Sequence, residues 1–130
     1  MKILVVDDSL TIRQAISKTV TKLGFEPVEA ANGAEAMSKI RGIHAETKLI
    51  ILDVNMPVMD GFSVLTKVKA SEDYRQIPVL MATADGVKED VIKALKAGAT
   101  SYLIKPFDNN ELQTRICEIL NLKPQETDSK

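Results

Sequence analysis

The chain has 130 residues and is 45% hydrophobic, the size and composition of one ordinary domain with one substantial core. Its 17 Lys and Arg face 18 Asp and Glu, a formal net charge of −1 with both signs interspersed, which excludes a field that would favour nucleic acid or anionic lipid. The apolar run after Lys2 is too short for a signal-peptide core and no later segment approaches a membrane span, so a cytoplasmic protein without membrane insertion is expected.

Residues 2–6, KILVV, read as a strand covered on both faces, and it ends abruptly in the carboxylates of Asp7 and Asp8. A helix over 10–23 places Ile12, Ala15, Ile16, Thr19, Val20 and Leu23 on one stripe, turns Arg13, Gln14, Lys18 and Lys22 outward, and stops at Gly24. The second strand, 25–29, alternates with charge and holds Pro27, which cannot donate to a ladder and so marks an edge. A second helix over 34–41 follows Asn32 as its cap. Strand 48–52 is again apolar on consecutive residues and ends at Asp53, and a third helix runs from Asp60 and Gly61 to Ala70. Strand 78–82 ends at Thr83. The fourth helix, 88–97, is expected to bury Val91, Ile92 and Leu95 before Gly98. Strand 101–104 ends at Lys105, and a fifth helix over 109–120 is expected to bury Leu112, Ile116, Ile119 and Leu120. One domain over 1–121 with a polar tail over 122–130 is the expected division, without repeats or low-complexity segments.

Alternation of buried strands with amphipathic helices predicts an α/β fold, a single doubly wound sheet of five parallel strands in the order 2-1-3-4-5, flavodoxin-like, with five helices. Ligands of such sheets bind beyond the carboxyl ends of the strands, which selects Asp7, Asp8, Asp53, Thr83 and Lys105. Carboxylates gathered there repel, by roughly 4 kcal/mol for two charges about 4 Å apart at an effective dielectric near 20. A hard divalent cation offsets that repulsion, and Mg²⁺ takes a few protein oxygens while keeping waters. Lys105 adds a compact ammonium and Thr83 a hydroxyl. Taken singly, Thr83 reads as a loop hydroxyl and Lys105 as a solvated lysine; together with the acids and a metal they suit a phosphoryl group.

The strings VVDDS, ILDVNMPVMDG, LMATA and YLIKPF, in this order, resemble the receiver domain of two-component response regulators, and the likeness covers 2–120. The C-terminal half is most similar to the stand-alone, CheY-like chemotaxis regulators. The resemblance implies that Asp53 is the phosphoacceptor and that Asp7 and Asp8 position Mg²⁺, with Asp8 favoured as the direct ligand and the main-chain carbonyl of Asn55 completing the protein ligands. It also implies that Thr83 and the amide of Ala84 bind phosphoryl oxygens, that Lys105 pairs with the acidic site, that Tyr102 is an aromatic switch, and that the Lys105–Pro106 peptide is cis. Asn55 and Asp85 stand where the family tunes the lifetime of the phosphoryl group.

The function implied is Mg²⁺-dependent acceptance of a phosphoryl group on Asp53 from a histidine kinase or histidine phosphotransfer domain. Output then goes to a downstream protein, in chemotaxis a flagellar-motor target, or the chain is a phosphorelay intermediate. Ending soon after its fifth helix, it is expected to signal through a surface, with Lys88, Lys93, Lys96 and Gln113 as exposed groups there and Arg13, Gln14 and Lys18 meeting the phosphodonor. No turnover of an external substrate is expected. A haloacid-dehalogenase-like phosphatase is the rival enzyme, but Asn55 stands where its motif needs a second aspartate and no cap domain is expected. A flavodoxin-like carrier lacks its phosphate loop, since two aspartates follow the first strand. His44 reads as an exposed loop residue, Cys117 as a core thiol, and Met56, Met59 and Met81 as packing.

Overall fold

The computed structural model describes residues 1–56, 59–84 and 88–122. Among them, β1 (Lys2–Val6), β2 (Glu26–Ala30), β3 (Thr47–Asp53), β4 (Val79–Thr83) and β5 (Ser101–Ile104) form one parallel sheet in the order β2-β1-β3-β4-β5. The helices are α1 (Leu10–Lys22), α2 (Gly33–Ile43), α3 (Gly61–Ala70), α4 (Lys88–Lys96) and α5 (Asn109–Leu120). The predicted order and element count hold. β3 and β4 reach one residue further than expected, so Asp53 and Thr83 close their strands rather than follow them. α2 runs on to Ile43 into a 3-10 turn at His44–Glu46, which ends where the Thr47 hydroxyl donates to the Ile43 carbonyl at 2.7 Å. From residue 123 onward the polar tail lies outside the described residues, as does Asp85.

Strand alternation sorts the core into two layers. Ile3, Val5, Leu49, Ile51, Leu80 and Leu103 point to one face, where Ile16 and Val20 of α1 and Leu112 and Ile116 of α5 cover them. Leu4, Val6, Ile50, Leu52, Val79 and Met81 point to the other, under α2, α3 and α4. Side-chain caps hold the helix starts: Ser9 accepts from the Ile12 amide at 3.3 Å, Asn32 from Glu35 at 2.8 Å and Asp60 from Ser63 at 2.9 Å, while Asp108 and Glu111 form a capping box. Gly24 at φ 95° and Gly98 at φ 110° supply the left-handed exits after α1 and α4.

Two faces differ from expectation. On α1, Ala15 is exposed and Ser17 is buried, because the inward stripe is centred on Ile16 and Val20. On α4, Ala94 is the buried residue, while Ile92 and Leu95 are 40% and 43% exposed. α4 lies on the sheet through a small side chain and leaves apolar surface outward, beside Ile104 of β5, which is 41% exposed. Ile119 and Leu120 are half-buried against the α1/α5 layer.

Candidate functional site

The same alternation builds the site. Asp7 continues the parity of Ile3 and Val5, Asp53 that of Leu49 and Ile51, and Lys105 that of Leu103, so the ends of the adjacent strands β1 and β3, and of β5 one strand beyond, deliver their charged groups to one corner. The Lys105 ammonium lies 2.8 Å from Asp7 Oδ2 and 3.2 Å from Asp53 Oδ1. Asp7 Oδ1 accepts the Ser9 amide at 2.9 Å. Asp7 and Asp53 are buried, and Asp8 is exposed at the rim. A carboxylate oxygen from each of Asp7, Asp8 and Asp53 can be chosen with all three within 4.8 Å of one another. Three hard anionic donors against one ammonium leave excess negative charge, a donor set that fits Mg²⁺ and leaves room for its waters.

Electrostatics follow from that crowding. Burial, then the charge of Asp7, pushes the Asp53 carboxyl up from 3.8 to about 6 against the opposing pull of Lys105. For Lys105, burial favours the neutral amine, but the hydrogen bond to Asp7 and the charges of Asp53 and Asp7 outweigh it and raise its pKa. The linkage for Asp53 has a definite sign: a carboxyl held above its ordinary value contributes stability below pH 3.8 that is lost as pH rises through about 6. At 1.36 kcal/mol per pH unit that gap corresponds to about 2 to 3 kcal/mol. Asp53→Asn is therefore expected to stabilise the chain by about this amount at pH 8 without Mg²⁺, and little at pH 4. Urea melts of both proteins at the two pH values check this; equal stability at pH 8 contradicts it.

The family model described as "Response regulator receiver domain" matches residues 3–117. The chain belongs to the response regulator receiver family. Among receivers, it is 45% identical over 121 residues to chemotaxis protein CheY1 of Helicobacter pylori, covering 92% of this chain and 97% of that protein. It is 42% identical to the chemotaxis protein CheY homolog of Campylobacter jejuni, covering 92% of each. The structure of chemotaxis protein CheY4 of Vibrio cholerae superposes with a TM-score of 0.84 at 39% identity, covering 92% of this chain and 98% of that one.

Other predicted residues of the receiver fall as follows. Thr83 is buried and takes the parity of Val79 and Met81, the opposite face from Asp53; its carbonyl accepts the Lys105 amide at 2.7 Å. Tyr102 pairs in register with Met81, and Ile104 with Thr83, so Thr83 and Tyr102 share one sheet face. The Tyr102 ring is half-buried, with the Arg115 guanidinium 6.0 Å from its centroid. Ala84 and Asn55 are exposed beyond the strand ends. The Lys105–Pro106 peptide is cis. Gln113, expected on the outer surface, is buried on the inward side of α5. The Lys88 side chain lies outside the description. His44 is half-buried, its ring set edge-on to Tyr74 at 5.3 Å, and Met81, Met56 and Met59 are core or core-packed residues. Burial raises the Cys117 thiol pKa, as a core thiol requires.

Two residues escaped sequence reading. A Cβ on Gly61 would lie 2.3 Å from the Asp53 carbonyl oxygen, so only glycine lets the start of α3 approach the backbone of the central aspartate, where the Gly61 amide donates to the Val54 carbonyl at 2.9 Å. The D-G pair was the available signal, but it reads equally as an ordinary helix start. Arg13, placed by periodicity on the outward face, is turned inward: its Nη1 donates to the Asp7 carbonyl and its Nε to Glu29 Oε1, both at 2.8 Å.

Proposed function

We propose that this receiver is a phosphorylation-activated, cytoplasmic response regulator that accepts a phosphoryl group on Asp53 and signals by binding a protein, in chemotaxis. The observation that carries this is the convergence of Asp7, Asp8, Asp53 and Lys105 at one corner, with carboxylate oxygens within 4.8 Å and the ammonium 2.8 to 3.2 Å from two of the acids. Asp7, Asp8, Asp53 and the Asn55 carbonyl would hold Mg²⁺, which would supply charge neutralisation for an incoming phosphoryl group. The Asp53 carboxylate attacks phosphorus of a phosphohistidine in line, the imidazole leaves, and an acyl phosphate forms on Asp53. Lys105 is placed to offset charge on the transferred group, with the Thr83 hydroxyl and Ala84 amide as hydrogen-bond donors. Water later attacks the same phosphorus, which releases inorganic phosphate and restores the Asp53 carboxylate, so the mark erases itself.

The donor, a histidine kinase or histidine phosphotransfer domain, has a ready approach. A groove of about 500 Å³ lined by Ile12, Ala15, Pro106, Phe107 and Leu112 opens beside Lys105. Output is assigned to the face of α4, β5 and α5, where Ile92, Leu95 and Ile104 are exposed. Thr83 and Tyr102, on one sheet face, link the site to it as a two-position element biased by the phosphoryl group. The chemotaxis relatives favour a flagellar-motor protein as target.

The test is incubation with acetyl phosphate, read by intact mass. One phosphoryl group is expected per chain, only with Mg²⁺, and lost again on standing. Steady hydrolysis of a chromogenic phosphate ester contradicts the reading. For output, Ile104→Glu is expected to weaken binding of the beryllofluoride-loaded protein to its target at least tenfold while phosphoryl uptake is unchanged, an estimate of the order set by burying one large side chain. Unchanged target binding places output on another face.

A further inference from the structure

The two aspartates after β1 are joined by a single peptide, and Arg13 grips that peptide. Asp7 has both carboxylate oxygens engaged, one by the Ser9 amide at 2.9 Å and one by Lys105 at 2.8 Å. Its main-chain carbonyl accepts Arg13 Nη1–H at 2.8 Å. Because a peptide is planar, holding the Asp7 carbonyl also sets the Asp8 amide and the position of its Cα, the point from which the Asp8 side chain leaves the backbone. Asp8 is exposed, so its orientation depends on that backbone. The guanidinium is itself tethered, with Nε donating to Glu29 Oε1 at 2.8 Å from the edge strand β2. The Asp7 amide donates to the Ala30 carbonyl at 3.1 Å, which ties the same turn to the next residue of β2. The Arg13 side chain is only 14% exposed, and Glu29 sets a negative charge directly against its cation.

We propose that Arg13, anchored by Glu29, is a positioning residue that orients the Asp7–Asp8 peptide and so presents Asp8 to the metal. The proposal rests on the Mg²⁺ reading above. Arg13 touches neither the metal nor the phosphoryl group. Its fork suits the task, since one planar group meets a carboxylate and a carbonyl at once, which an ammonium on a flexible stem does not reproduce.

Three accounts of Arg13 give different results in an amide NMR titration of the full chain with Mg²⁺ alone. As a positioning residue, its removal in Arg13→Ala weakens Mg²⁺ binding about tenfold, the usual scale for groups that orient metal ligands. If Arg13 acted only as a nearby positive charge, its removal would strengthen Mg²⁺ binding. If it only stapled α1 to β2, the melting temperature would fall with Mg²⁺ affinity unchanged. Arg13→Lys, which keeps the charge and loses the fork, is expected to stay nearer to Arg13→Ala than to wild type, and Glu29→Gln to weaken binding several-fold. Unchanged or tighter binding in Arg13→Ala, or full affinity in Arg13→Lys, overturns the proposal. Wild-type protein that binds no Mg²⁺ overturns the metal reading itself, and the positioning role with it.

Discussion

Asp53→Asn is expected to take up no phosphoryl group from acetyl phosphate at any Mg²⁺ concentration, while remaining folded and, at pH 8, more stable than wild type. The two effects have one cause. Asp53 ends β3 in a buried corner where burial and the charge of Asp7 oppose its ionisation, yet the proposed phosphoryl transfer needs the ionised carboxylate as its nucleophile. An amide removes the nucleophile and also removes the destabilising charge. Intact-mass spectrometry beside a urea melt measures both in one preparation. A labelled Asp53→Asn protein removes Asp53 as the acceptor; an unlabelled but destabilised one contradicts the electrostatic account.

Lys105→Met is expected to cost about 3 kcal/mol of stability at pH 8, since losing one partner of a buried charge cluster strands the others. Asp7 and Asp53 then face each other without the ammonium that now lies 2.8 and 3.2 Å from them. The Asp53 pKa rises beyond about 6 once the lowering influence of Lys105 is gone. A carboxyl shifted upward contributes stability at low pH that is lost as pH increases, so the deficit of Lys105→Met shrinks toward pH 5. Added Mg²⁺ recovers part of it by binding the folded state alone. Urea melts at pH 5 and 8, with and without Mg²⁺, check the pattern. A deficit independent of pH shows that Lys105 acts through packing rather than charge.

Much of this is legible in the amino-acid sequence alone. Consecutive apolar residues in 2–6, 48–52 and 78–82 specify strands covered on both faces, Pro27 specifies an edge, and the strand ends specify the site, because parallel sheets bring those ends together. What escaped reading concerns which side of an element meets which neighbour. Apolar residues of α4 extend around more of the helix than its contact, so hydropathy selected Ile92 and Leu95 where the contact is the smaller Ala94. Gln113 is buried although polar, and Arg13 turns inward because its partners are a main-chain carbonyl and a carboxylate from another strand. Neither has a signature in a one-dimensional pattern. Gly61 is required by a backbone approach to Asp53 that exists only after α3 has packed.

The most direct test of the central claim is chemical mapping of the phosphoryl site. An aspartyl phosphate is reduced by borohydride to homoserine, which leaves a permanent mark where the acyl phosphate stood. After Mg²⁺ and acetyl phosphate treatment, peptide mass spectrometry is expected to find homoserine at position 53, none without Mg²⁺, and none at Asp7 or Asp8. Homoserine at Asp7 or Asp8, or labelling of equal extent without Mg²⁺, contradicts the assignment of Asp53 as the acceptor in a metal-assisted receiver site.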